Sequence, residues 1–181
     1  MSKYYIGIMC GTSLDSIDIS IVSITPKRIK VKGFDEYKLD NKFKTEINLV
    51  KQSNNSGINL KKINRNLTNL IIKQVNHSLD KHKLTSEDIS AIGFPGITLI
   101  HRPDLKISGY IGDPSLLSQK LKISVISDFR QTDVDAGGQG APLAGLFHNY
   151  LNSVMKKNLT YLNLGGFANI SVPHKKQIIS Y

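Results

Sequence analysis

Three short segments hold the residue types from which a reactive site could be built. The first is Gly11-Thr12-Ser13-Leu14-Asp15-Ser16-Ile17-Asp18. Glycine and small hydroxyl residues let backbone N–H groups approach an anion closely, and Thr12 and Ser13 can add hydroxyl donors. An acid beside a phosphate makes chemical sense through a cation. Asp15 can hold Mg2+ or its waters, since that ion takes oxygen ligands from one or two carboxylates together with phosphate. The plainer reading is an Asx or Ser/Thr turn between two strands. The segment is not a Walker loop, because the Gly-Lys-Ser/Thr ending is absent.

The second segment is Asp128-Phe129-Arg130-Gln131-Thr132-Asp133-Val134-Asp135-Ala136-Gly137-Gly138-Gln139-Gly140-Ala141-Pro142-Leu143. It falls between the end of a predicted strand and the start of a predicted helix, where α/β proteins place ligand sites. A carboxylate there can take a proton from an attacking hydroxyl or water, and Arg130 can orient it or pair with an anionic substrate. A capped loop with surface acids is the competing reading, because Asp and Gly are also turn residues. The third segment, Asn163-Leu164-Gly165-Gly166-Phe167-Ala168-Asn169, puts a Gly-Gly turn with free N–H donors between two β-prone runs. The single cysteine, Cys10, reads as a small buried filler rather than a nucleophile. His77, His82, His101, His148 and His174 show no metal-ligand spacing.

Elements must position these segments. Tyr4 to Met9 and Ile17 to Ile24 read as two strands of a hairpin, with a third strand near Ile29 to Tyr37. Leu60, Ile63, Leu67, Leu70, Ile71, Val75 and Leu79 recur three or four apart and predict an amphipathic helix over 58–84. A short β-like run covers 89–94, and a Gly/Pro-rich loop continues to Pro103. Then come a strand over 107–111, a helix over 114–121 capped by Asp113, a strand over 123–127, a helix from about 142 to 155, and strands at 160–164 and 168–172. An opening meander followed by alternation predicts an α/β fold with a mixed sheet.

Composition narrows the function. A chain of 181 residues with 40% hydrophobic content can bury a sizeable core. No apolar stretch of bilayer length and no signal-peptide pattern is visible, so no membrane role is expected and the cytoplasm is the expected location. The net charge of +10 is spread as scattered pairs such as Lys61-Lys62, without interleaved aromatic residues, so no nucleic-acid partner is expected.

Taken in order, the three segments resemble the anhydro-N-acetylmuramic acid kinases of the actin-like sugar kinase/Hsp70 superfamily. The resemblance runs from Tyr5 to Val172; it is strongest at residues 8–15, at Ile111-Gly112-Asp113-Pro114, at 137–143 and at 163–170, and only general over 27–86. It implies an actin-like (ribonuclease H-like) α/β ATPase fold, with a first domain over 1–156 and the opening hairpin of a second over 157–181. It also implies a kinase that uses Mg2+, ATP and water to open the 1,6-anhydro bond of anhydro-N-acetylmuramate and phosphorylate O6. Carried over, Gly11, Thr12, Ser13, Leu14, Asp15, Ser16, Ile17 and Asp18 form the first phosphate loop, and Gly165, Gly166 and Asn169 the second. Asp133 becomes the general base, with Asp128 in reserve; Thr98, Arg130 and Asp128 contact the sugar, and Asp15 partners Mg2+. The implied partners are a small-molecule sugar, a complementing C-terminal half that holds the adenosine, and a second copy in a homodimer. A non-catalytic remnant or binding module is the alternative.

Three departures from the family pattern set further expectations. Gly93-Phe94-Pro95-Gly96-Ile97-Thr98 stands where the family reads Gly-Ser-His-Gly-Gln-Thr, which predicts a more apolar sugar pocket and a changed sugar preference. Ser16 replaces a glycine of the phosphate turn and is expected to crowd it or to be forced to positive φ. Cys10 stands where serine is common. Leu164, Phe167 and Ile170 are expected to lack packing partners.

Overall fold

In the computed structural model, which describes residues 4–25, 28–52, 57–165, 168–174 and 177–181, alternation of apolar residues builds a mixed sheet first. Strands β1 (Tyr4–Met9), β2 (Ser16–Thr25) and β3 (Arg28–Lys38) form the antiparallel meander. Ile17, Ile19 and Ile21 of β2 all turn to one face and are fully buried there, the period of two that a one-sided strand requires. β4 (Ile89–Gly93) adds parallel to β1, and β7 (Val125–Ile126) adds parallel to β4, giving the order β3-β2-β1-β4-β7. The expected strand over 123–127 is thus only two residues long, though Ile92 N–H and Phe94 N–H still reach the Ser124 and Ile126 carbonyls.

Helix α1 (Asn41–Gln52) has no counterpart in the sequence reading. It is short and carries only Phe43, Ile47 and Val50 on its inner face, too few for periodicity to stand out. Its start is marked by Asp40, whose carboxylate accepts from Phe43 N–H at 2.7 Å, an N-cap bond. Helix α2 (Gly57–Lys81) is the expected long amphipathic helix, burying Ile63, Leu67, Ile71, Val75 and Leu79 against the sheet. At its far end the buried Asp35 carboxylate of β3 is bonded by Lys81 and, at 2.9 Å, by His82; Gly33 is required beside it, since a Cβ there would lie 2.4 Å from the His82 ring.

The stretch expected as a loop through Pro103 contains a strand. β5 (Ile97–Arg102) pairs antiparallel with β6 (Ile107–Ile111), and Ile97 and Ile111 close the top of the core. α3 (Pro114–Leu121) follows as expected: Asp113 accepts from Leu116 N–H at 2.9 Å, and Pro114 occupies the first turn, where a missing N–H costs nothing. α4 (Phe129–Asp135) occupies part of the segment expected as loop, and α5 (Gly145–Met155) begins three residues later than expected. Strands β8 (Tyr161–Leu164), β9 (Ala168–His174) and β10 (Gln177–Ser180) make a separate antiparallel sheet, β10 being unforeseen. α5 is tied to it: His148 stacks on Tyr161 and bonds Ser171 at 2.8 Å, while Asn152 exchanges hydrogen bonds with Leu159. No helix among the described residues is long and apolar enough to cross a membrane.

Candidate active site

Because β1, β4 and β7 are parallel, the segments that leave their C-terminal ends emerge at one edge of the sheet. These are residues 10–15, residues 94–96 and Ser127-Asp128. That edge is where open α/β sheets bind ligands. Phe129, at the start of α4, reaches back over the end of β4, its ring tip 3.9 Å from where a Gly93 Cβ would stand.

The first segment is a tight turn closed by Leu14 N–H on the Gly11 carbonyl at 3.0 Å. Its left-handed residue is Leu14, at φ 59°, not Ser16. Leu14 is buried in the core, which holds a strained backbone that glycine would adopt more readily. Ser16 instead begins β2 opposite Lys38 and donates to Asp18 at 2.8 Å, so the expected crowding does not arise. Gly11, Thr12, Ser13 and Asp15 are exposed, whereas Ile17 and half-buried Asp18 belong to the strand.

α1 borders this turn. Lys44 lies 3.6 Å from Asp15, and Lys51 donates to the Thr12 carbonyl at 3.4 Å. Hydrogen bonding from Ser13, and then the charge of Lys44, hold the exposed Asp15 carboxyl below its ordinary range. Asp15 is therefore an anionic hard-oxygen donor at neutral pH. Among the described residues no three His, Cys, Asp or Glu side chains gather as a metal cage. The donor set fits Mg2+, which keeps several waters and takes phosphate oxygens beside one or two carboxylates. Burial pushes the Cys10 thiol up to about 11, with Asp18 adding, so Cys10 is a protonated, half-buried packing residue.

α4 divides the second segment into two sides. Asp128 stands at its N-terminus in the left-handed region (φ 61°) with no capping bond, and its carboxylate is exposed. Asp128 and Gln131 border a cavity of about 470 Å³, which Leu60, Lys61 and Asn64 of α2 and residues 108–112 complete. Tyr110 lines it as well, its hydroxyl pushed above the usual range chiefly by burial, with Asp128 adding. Asp133, two positions beyond Gln131, points to the other side of the helix. There its Oδ2 accepts from Gly140 N–H at 2.7 Å and its backbone carbonyl from Gly138 N–H at 2.8 Å. A Cβ on Gly138 would come within 2.2 Å of that carboxylate, so only glycine allows the approach. Arg130 is half-buried and donates to the Gly140 carbonyl at 2.7 Å; it anchors the glycine loop and pairs with no acid among the described residues.

Thr98 is half-buried in β5, opposite Tyr110. Two of the substituted residues beside it, Phe94 and Ile97, do not face a pocket. Phe94 and Ile97 are 2% and 1% exposed, and a Cβ on Gly112 would strike the Phe94 ring at 2.3 Å. They extend the core beneath the β5–β6 hairpin, which overturns the expectation that they make the sugar pocket apolar. In the second sheet, Gly165 is exposed at the end of β8 and Asn169 lies opposite Asn163; Gly166 and Phe167 lie outside the described residues. No hydrogen bond among the described residues joins Gly165 or Asn169 to the first segment or to α4. The contribution of α1 was missed by sequence reasoning; the only signal was Asp40 three residues before an apolar position.

A family model described as anhydro-N-acetylmuramic acid kinase matches residues 3–181. The chain belongs to the anhydro-N-acetylmuramic acid kinase family. Relatives of that name include one from Mannheimia succiniciproducens, 37% identical over 175 residues that cover 95% of this chain and 47% of the relative. One from Aliivibrio fischeri is 35% identical, covering 98% and 49%. The chain thus spans about half the length of the curated relatives it matches. A solved reductive activator for a corrinoid, iron-sulfur protein has a similar fold, with a TM-score of 0.52 at 12% identity over 98% of this chain and 30% of the activator. The chain shares the family of these relatives and has an α/β fold with a mixed sheet.

Proposed function

We propose that this chain forms the phosphate- and sugar-binding half of a kinase that opens 1,6-anhydro-N-acetylmuramic acid with water and phosphorylates O6. The observation that carries the reading is the common edge onto which the 10–15 turn, the end of β4 and the start of α4 emerge. Exposed N–H groups and hydroxyls of Gly11, Thr12 and Ser13 cradle the phosphates of ATP, with Gly165, Gly166 and Asn169 as the second cradle. Asp15 holds Mg2+, which when bound neutralises charge on the phosphoryl oxygens.

Asp133 acts as general base. Gly140 N–H fixes one carboxylate oxygen, which orients the other to take a proton from water. The water oxygen bonds to the anomeric carbon as the bond to O6 breaks, and O6 bonds to the γ-phosphorus of ATP as the bond from that phosphorus to the bridging oxygen breaks, releasing ADP. Arg130, bonded like Asp133 to Gly140, supports the sugar on the base's side of α4; Asp128, at the helix N-terminus, and Thr98 are its further contacts. The division into residues 1–156 and 157–181 belongs to the same proposal, as do a cytoplasmic setting and a homodimer. The rest of the relatives' fold, on the same or another polypeptide, packs on the second sheet and supplies the adenosine side.

The test is direct. The chain is incubated with Mg-ATP and the anhydro sugar, alone and with a polypeptide corresponding to the relatives' second half, and sugar phosphate is followed by phosphorus NMR. Product is expected from the mixture. If neither sample yields product although both polypeptides are folded, the protein is a binding module instead.

A further inference from the structure

α1 contributes two ammonium groups to a loop that, by its residue types alone, holds only neutral donors and acids. Lys44 and Lys51 are seven residues apart, two helical turns, and so project from the same face of α1. That face lies along the 10–15 turn: one lysine is 3.6 Å from Asp15, the other 3.4 Å from the Thr12 carbonyl. Lys44 is largely covered, its side chain 26% exposed against 77% for Asp15. Lys51 is half-buried and bonds a neutral carbonyl, with no acid paired to it among the described residues, so most of its charge is uncompensated there. A partly desolvated ammonium without a counter-ion is the arrangement an incoming anion satisfies.

Resting on the phosphate-loop reading above, we propose that Lys51 is a phosphate-binding residue of this site. In this assignment Lys44 is its gate, holding Asp15 until a divalent cation takes the carboxylate and frees the second ammonium for the same anion. Burial lowers the Lys51 pKa, with Cys10 opposing, which agrees with a site that favours a bound anion over water. A glycine loop whose own residues carry no cation thereby gains one from a helix some forty residues downstream.

Binding of inorganic triphosphate with Mg2+ to the full 181-residue chain tests this, measured by calorimetry at low ionic strength. Lys51→Met and Lys51→Gln should weaken binding by about tenfold or more, the loss of one charged hydrogen bond. Lys51→Arg should retain it, and Lys73→Met, which removes an equal charge from exposed α2, should bind as wild type. Urea midpoints of all variants are compared to establish that they are folded. Unchanged binding in both neutral Lys51 variants overturns the proposal and leaves the phosphate-loop reading standing. Equal weakening by Lys73→Met also overturns it, because net charge alone would then explain the loss. A wild-type chain that binds no triphosphate at millimolar concentration sinks the phosphate-loop reading and this proposal together.

Discussion

The two carboxylates of α4 differ in what surrounds them, and that difference predicts different phenotypes. Asp133 is held by the Gly140 N–H, so Asp133→Asn preserves size but removes the proton acceptor. Turnover of the reconstituted kinase should fall about 10²-fold or more with nucleotide affinity nearly unchanged, as for loss of a general base; undiminished turnover would move the role to Asp128. Gly138→Ala should be as damaging by another route, since its methyl would sit 2.2 Å from the Asp133 carboxylate. Cys10 gives a chemical test of burial. With its pKa at about 11, roughly one thiol in a thousand is ionised at pH 8. Alkylation by iodoacetamide should accordingly be far slower than for an exposed peptide thiol, and reaction at the free-thiol rate would contradict the half-buried position.

At the level of elements, the junction of β3 with the end of α2 makes stability depend on pH. Burial alone would raise the Asp35 pKa, but hydrogen bonds from Lys81, Ser78 and His82 outweigh it and leave the carboxyl below its ordinary value. A carboxyl lowered in the folded state adds stability that is complete above its unfolded pKa of about 4 and is lost as pH falls through the folded value. Urea midpoints should therefore drop below about pH 4, and Asp35→Asn should be less stable at neutral pH while flattening that dependence. Equal acid sensitivity in the variant would assign the effect to other carboxyls. These elements also differ in how plainly the sequence announced them. α2 was legible because seven apolar residues mark one face over many turns. α1 was not, because three apolar positions in a short lysine-rich stretch fall below any periodic signal. β5 was hidden by Pro95, Gly96 and Pro103, which read as loop although Ile97, Thr98, Leu99 and Ile100 between them are β-branched or aliphatic. Such proline and glycine punctuation sets the ends of a strand without excluding one.

For the molecule as a whole, the feature that matters is exposed apolar surface on both sides of the second sheet: β8 offers it on one side and α5, which packs on Tyr161 and Ser171, on the other. Leu162 and Leu164 of β8 are 60% and 75% exposed, and Leu146 and Phe147 at the start of α5 are 85% and 50% exposed. This agrees with the expectation that Leu164 lacks packing partners. Side chains of this size, exposed on neighbouring elements, drive association. The chain studied alone should self-associate as concentration rises, seen by sedimentation velocity, and Leu146→Asp with Leu164→Asp should keep it monomeric. Concentration-independent monomers of the unsubstituted chain would show that these side chains need no cover.

The order and residue types of the three segments, their kinship, the mixed α/β class and the long helix all followed from the sequence, because periodicity and motif spacing are local properties of a chain. Tertiary structure alone decided the surroundings of those residues. Phe94 and Ile97, read as pocket lining, are core because Gly112 lets the β5–β6 hairpin close over them. Strain sits at Leu14 rather than Ser16 because the leucine side chain is anchored in the core. The lysines of α1 meet the 10–15 turn only because β3 runs back along β2 and delivers the helix there. Proximity between residues distant in the chain is set by how strands pair and helices pack, and no local pattern encodes it.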